Sequence, residues 1–310
     1  MRFEYFHRII MKLSIITVNL NNREGLRKTA ESILDQTFTD YEWIVVDGAS
    51  TDGSVEVANE FAQKINAKSS ASSNIDSTST IIFSPNEASS SNNPLTPTAL
   101  VISEPDTGIY NAMNKGIKLA NGAYCLFLNS GDWLYNEKTL FNVFDVNRTS
   151  EILFGDIIMQ NPNGLSQEKR FENNISLEYI ACEGLCHNST FIDTVILKQK
   201  PYNEDYKIVS DRLNFILWAL CGYSFERIPF VVSNVDMTGI SSTNRKLLNS
   251  EIKSLIEEHI PSTIIEDFRI IHENNYYKHF LTKQVLHFAQ IRERSLVFRK
   301  MTNLLLKMFK

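Results

Sequence analysis

The chain has 310 residues, 43% of them hydrophobic, and a formal net charge of −5. That length can bury the core of one large domain or two smaller ones, and the acidic balance gives no general attraction to nucleic acid. No apolar run reaches the roughly 18 residues of a membrane span, and the first ten residues lack a signal-peptide core. Met11 lies just before the first strand, so residues 1–10 read as an N-terminal extension or as a misassigned start. "LSIITV" (13–18) predicts a buried strand, and Leu26, Ala30, Ile33 and Leu34 then recur at helical spacing. "WIVV" (43–46) is a second strand and "GSVEVANEFAQ" (53–63) a second helix. Residues 66–98 are dominated by Ser, Asn, Thr and Pro, which predicts a disordered surface insertion that a short linker could replace. "ALVIS" (99–103) is a third strand, Ile109 to Ala120 a third helix, and "AYCLFL" (123–128) a fourth strand. Strands alternating with helices imply an α/β fold with a largely parallel sheet.

After residue 135 the alternation loosens. "EILFGDIIM" (151–159) is one or two strands, with a hairpin turn at "NPNG" (161–164). "SDRLNFILWAL" (210–220) predicts a helix with Ser210 as N-cap, and "IPFVVSNV" (228–235) a last strand. From about residue 245 the pattern is helical only. Cys125, Cys182, Cys186 and Cys221 are scattered, which suits reduced thiols in a cytosolic protein. Cys182, Cys186 and His187 lack the further ligands of a zinc site.

Three acids lie just beyond strand ends: Asp47, Asp106 and Asp132. Singly, each reads as a turn or a helix start. Together they face one crevice, because ligands of open α/β sheets bind at the carboxyl ends of the strands. A crevice crowded with anionic groups calls for a hard divalent cation with phosphate. No GxGxxG or GxxxxGK[ST] follows the first strand, which argues against dinucleotide and P-loop sites. Asp211, read locally, complements a helix dipole.

The blocks "LSIITVNLNNREGLRKTAESILDQTFTDYEWIVVDGASTDGS", "SEPDTGIYNAMNKGIKLANGAYCLFLNSGD" and "CHNSTFI…YKIVSDRLNFILWAL" together resemble the family 2 glycosyltransferases, inverting enzymes of the GT-A fold. The likeness is strongest to bacterial members that build capsule, lipopolysaccharide and exopolysaccharide sugars. It implies a Rossmann-like sheet flanked by helices over residues 11–242, with a helical C-terminal extension over 243–310. It implies a nucleoside-diphosphate sugar donor, UDP- or GDP-linked, and a saccharide or polyprenol-linked acceptor. By the same resemblance, Thr17, Asn19, Asn21, Asp47, Asp106 and Asn114 lie along the nucleotide, Asp132 holds magnesium or manganese, and Asp211 is the general base. His187 falls on the acceptor side, and Ser241 or Ser242 near the donor phosphates. The family's Asp-x-Asp-Asp region keeps only its last acid here, with Asn129 and Gly131 where acids are common. That loss supports a rival reading as a non-catalytic nucleotide-sugar-binding module; another nucleotide-dependent transferase is the second rival.

The tail "IRERSLVFRKMTNLLLKMFK" (291–310) carries six basic residues against one Glu, with Val297, Met301, Leu304, Leu305 and Met308 at helical spacing. Such a stripe either lies on an anionic leaflet, at the inner face of the cell membrane, or packs on the catalytic domain or a second subunit.

Overall fold

The computed structural model describes residues 11–71 and 96–270. The N-terminal extension, most of the Ser/Asn-rich stretch and the basic tail lie outside these residues. The chain divides into two compact units between Ile252 and Lys253. The second unit, as far as it is described, holds the end of one helix and a further helix over 262–270.

The first unit begins with the expected alternation: β1 (Leu13–Asn19), α1 (Arg23–Leu34), β2 (Tyr41–Asp47), α2 (Ser54–Ala71), β3 (Thr98–Ser103), α3 (Ile109–Leu119) and β4 (Tyr124–Phe127). It continues with β5 (Trp133–Leu134), α4 (Thr139–Phe144), β6 (Ile152–Gln160), β7 (Ser166–Lys169), α5 (Leu177–Cys182), a 3₁₀ turn at His187–Ser189 and β8 (Thr190–Asp193). The last elements are α6 (Thr194–Gln199), α7 (Ser210–Leu220), β9 (Phe225–Asp236), α8 (Ile240–Thr243) and α9 (Arg245–His259).

All nine strands form one sheet in the order β3-β2-β1-β4-β8-β6-β9-β5, with β7 paired to β6. The run β3-β2-β1-β4 is parallel, as the intervening helices require. Beyond β4 the expectation of a largely parallel sheet fails. Strand β8 runs antiparallel to β4 and β6, β5 antiparallel to β9, and only β6 and β9 are parallel there. A tight hairpin adds a further antiparallel pair, β6–β7, in which the Asn161 carbonyl accepts the Gly164 N–H. Antiparallel neighbours need no helical crossover.

Two local expectations also change. Helix α2 runs on to Ala71, so the 66–98 stretch begins inside a helix. Asn66 there donates to the Ala99 carbonyl (3.2 Å) and accepts the Ala99 N–H (2.7 Å), closing part of the open edge of β3. Removing residue 66 would undo this edge cover. Ser210 is the first helical residue of α7 rather than its cap; Val209 holds the cap position and provides no side-chain bond.

The core lies where α1 and α2 cover the parallel strands, with Leu13, Ile15, Trp43, Val45, Leu26 and Ile33 almost wholly excluded from solvent. Trp43 Nε1 donates to Thr17 Oγ1 (2.9 Å), and that hydroxyl donates to the Leu128 carbonyl (2.8 Å). These bonds satisfy polar groups inside the sheet and align the ends of β1 and β4. Gly122 lets the chain enter β4 hard against β1: a β-carbon there would lie 2.4 Å from the Ser14 nitrogen and 2.5 Å from the Leu13 carbonyl carbon. Backbone cannot yield as a side chain can. Gly122→Ala is therefore expected to lower stability by about 3 kcal/mol, read as a shift in denaturant midpoint without a change in slope.

Candidate active site

The carboxyl ends of β1 and β4 and the turn after β3 open onto a cavity of about 450 Å³, lined among others by Asn19, Asp106, Asn129, Ser130, Asp132 and Asp236. Asp106 follows β3 and accepts the Gly108 N–H (3.0 Å) at the start of α3. Its other oxygen fills the space beside Gly48, where a β-carbon would come within 2.5 Å of Oδ2. Asp132 ends the turn after β4. Its Oδ1 accepts the Asp236 N–H (2.9 Å) and its Oδ2 accepts from Asn188 Nδ2 (3.2 Å). Burial, with the charge of Asp236 adding to it, pushes this carboxyl up to about 6. Asp236, at the end of β9, accepts the Thr238 N–H.

The stretch "FLNSGDWL" is thus both a turn and a cavity wall. Asp132 N–H donates to the Asn129 carbonyl (3.0 Å), and Gly131 takes a φ of 105°, a left-handed conformation that favours glycine. Trp133 and Leu134 then join the sheet as β5, and Lys28 Nζ lies 3.1 Å from the centre of the Trp133 ring. The flanking apolar residues fasten the turn.

Not every expected residue reaches the cavity. Thr17 is spent inside the sheet, as described above. Asn114 is buried facing the opposite way: it donates to the Tyr202 carbonyl (2.9 Å) and Glu204 Oε1 (2.8 Å), and accepts the Tyr202 N–H (3.0 Å). It ties α3 to the segment before α7. Asn21, with φ 48°, accepts the Thr51 N–H and does not line the cavity. Asp47 is fully buried behind the wall. Burial works against its charge, but bonds from Ser50, Asn19 and Ser103, each 2.8 Å, hold it below the usual carboxylate range. Asp47 therefore clamps the ends of β1, β2 and β3, while Asn19 alone of the β1 candidates faces the cavity.

His187 borders this cavity and also a neighbouring one of about 650 Å³, which Asp211 lines as well. His187 Nδ1 is 3.0 Å from Asp211 Oδ2, and its Nε2 is 3.0 Å from Asn129 Nδ2. Asp211 Oδ1 accepts from Tyr110 Oη (3.0 Å) and the Arg212 N–H (2.9 Å). Burial opposes both charges; the pairing overcomes it, so Asp211 titrates below and His187 above its ordinary value. Ser241 and Ser242 border both cavities.

Sequence reading missed Asp236, Asn188 and Tyr110. Asp236 carried a readable signal, since it ends an apolar strand and precedes "MTG", much as Asp47 precedes "GAS". Nothing local marks Asn188 or Tyr110.

The donors facing the first cavity suit a hard divalent ion. Asp132 and Asp236 supply carboxylate oxygens, and Asn129 Oδ1 is buried with no partner in the protein. Among the described residues no cluster of three or more His, Cys, Asp or Glu side chains is placed to hold a metal, so most of a shell would come from diphosphate and water.

A mixed sheet flanked by helices, with acids at the carboxyl ends of its strands, is the GT-A architecture. Residues 14–72 match the model of Glycosyl transferase family 2. Over 203 residues the chain is 30% identical to the PGL/p-HBAD biosynthesis glycosyltransferase of Mycobacterium tuberculosis, covering 64% of this chain and 66% of that protein. The chain thus spans just under two thirds of the length of that relative. S. aureus TarS 1-349 in complex with UDP-GlcNAc superposes with a TM-score of 0.54 at 18% identity, over 81% of this chain and 68% of that one. The mannosyltransferase PcManGT from Pyrobaculum calidifontis, in complex with GDP-Man and Mn2+, gives 0.55 at 13% identity, over 96% and 80%. The chain is thus similar in sequence to the family 2 glycosyltransferases and shares the GT-A fold.

The raised carboxyl of Asp132 has a measurable consequence. Between about 3.8 and 6 the folded chain holds a proton there that the unfolded chain has lost, so raising pH through that window costs stability. Asp132→Asn should therefore raise stability at pH 5 by only about half of what it does at pH 8. At pH 8, without divalent metal, it should raise stability by up to about 3 kcal/mol. Asn188 can turn its unpartnered Oδ1 toward the new amide. Equal effects at both pH values, in thermal melts with chelator, would show that Asp132 carries no such cost.

Proposed function

We propose that this chain transfers a sugar from a nucleoside-diphosphate sugar to a saccharide or lipid-linked saccharide, with inversion at the anomeric carbon. The observation that carries the reading is the junction at His187, where an acid-lined cavity suited to a diphosphate and its metal adjoins a second cavity containing an ionised carboxylate. The named ligands of the two GT-A neighbours, UDP-GlcNAc and GDP-Man, support a donor of this class.

On the donor side, Asn19 and Asp106 would bind the nucleoside end, a reading supported by their position on the cavity wall. Asp132 and Asp236, with Asn129, would hold magnesium or manganese. That ion would neutralise the departing diphosphate.

On the acceptor side, Asp211 is the base. Its Oδ1 takes two hydrogen bonds and its Oδ2 only one, from His187. A carboxylate oxygen has two lone-pair sites, so Oδ2 retains one for an acceptor hydroxyl. The hydroxyl oxygen attacks the anomeric carbon opposite the diphosphate, the carbon–diphosphate bond breaks, and the proton passes to Asp211. Tyr110 and the Arg212 N–H fix the carboxylate's plane.

His187 sets how strong that base is. A protonated imidazole lowers the affinity of Asp211 for a proton; a neutral one still donates its Nδ1–H but withdraws less. Turnover should rise with pH through the His187 pKa, above the ordinary imidazole value, with Asp132 and Asp211 the acids facing the ring. His187→Gln should abolish that limb of the pH profile while keeping measurable turnover.

Asp211→Asn keeps shape and removes the proton acceptor, and should cost on the order of 10²–10⁴-fold in turnover. Nucleotide-sugar affinity should stay close to wild type, while the melting temperature should fall, because the change breaks the pair with His187. Undiminished turnover would exclude Asp211 as the base. Donor binding without transfer in the wild-type chain, across a broad acceptor panel, would return the protein to a binding module.

A further inference from the structure

The cavity that holds Asp211 is bordered by Lys169, Arg170, Arg212 and Arg245, against Glu168, Glu183 and Asp211. These charges are not equally committed. Arg170 and Glu168 neutralise each other through a two-point pair of 2.7 and 3.2 Å. Asp211 is matched by His187 at 3.0 Å. Arg212 bonds only carbonyl oxygens, those of Ala181, Cys182 and Glu183, at 3.2, 2.9 and 3.1 Å. Those bonds fix the guanidinium against Gly184 without cancelling its charge. Lys169 lies 5.1 Å over the Phe171 ring, and among the described residues neither it nor Arg245 makes an ion pair. The cavity is left with three uncancelled cations against one acid, Glu183.

We propose that the acceptor bound in this cavity carries an anionic group, a carboxylate or a phosphate, held by Lys169, Arg212 and Arg245 while its hydroxyl meets Asp211. This rests on the reading of the cavity as the acceptor side. A neutral saccharide could accept hydrogen bonds from these groups but would cancel none of their charge. An anion here also gains charge-assisted hydrogen bonds, which are about twice as strong as neutral ones. The phosphate of a lipid-linked saccharide and the carboxylate of an acidic sugar share this chemistry.

The test titrates the full chain by calorimetry with glucose, glucuronate, glucose 1-phosphate and a short-chain polyprenyl diphosphate, each with and without uridine or guanosine diphosphate. At least one anionic probe should bind about tenfold more tightly than glucose, a difference of about 1.4 kcal/mol. The advantage should shrink at high salt, because the cations are partly exposed. It should vanish in the Lys169→Gln/Arg245→Gln double variant, whose nucleoside diphosphate affinity stays unchanged. An advantage seen with glucuronate assigns the anion to an acidic sugar; one confined to the polyprenyl diphosphate assigns it to a lipid-linked phosphate. Equal binding of glucose and every anionic probe, or a preference that survives the double variant, overturns the proposal. Failure of nucleoside diphosphate to bind would count against the donor cavity alone, since the titrations without nucleotide decide this question separately.

Discussion

A carboxylate taken out of water must be given hydrogen bonds, a cation or a proton, and four aspartates of this fold, three buried and Asp211 half-buried, meet that demand in different ways. Asp47 meets it with donors from the ends of β1 and β3 and from the loop after β2, and becomes a structural clamp. Asp156 meets it with a two-point pair to Arg227 and the Phe171 N–H. Asp211 is held ionised by His187, Tyr110 and a backbone N–H, yet keeps one oxygen partly free. Asp132 receives only an N–H and an amide, with Asp236 close enough to repel it, and is the one pushed up to about 6. The undersatisfied acid faces the cavity suited to a cation. The ionised acid faces the other.

This division depends on the change of strand direction halfway through the sheet. Parallel strands β1 to β4 place Asn19, Asp106 and Asp132 on one crevice. Strand β8 pairs antiparallel with β4, so the 3₁₀ turn just before it brings His187 and Asn188 to the carboxyl end of β4. Strand β9 ends beside the same turn, and its Asp236 N–H meets Asp132. A wholly parallel sheet would not return the later part of the chain to that crevice so directly.

Much of this was legible in order along the chain. The strands and helices through β4 follow from apolar periodicity, and the acids after β2, β3 and β4 could be found because each interrupts an apolar run. Asp211 and His187 were named from the family pattern. Thr17, Asn21 and Asn114 lie within motif blocks but turn their side chains to the sheet, a loop and the segment before α7. A motif places the backbone; side-chain direction depends on partners far away in sequence, such as Leu128 for Thr17 and Tyr202 for Asn114.

The sequence by itself determined the alternating first half and the positions where carboxylates follow strands, because burial periodicity and turn chemistry act over a few residues. Only the tertiary structure decided which carboxylates are spent and which are available. It buried Asp47 behind three donors, set Asp236 against Asp132, and joined Asp211 to His187 and Tyr110. Those outcomes depend on contacts across 104, 24 and 101 residues of chain, and on the desolvation that the assembled sheet imposes.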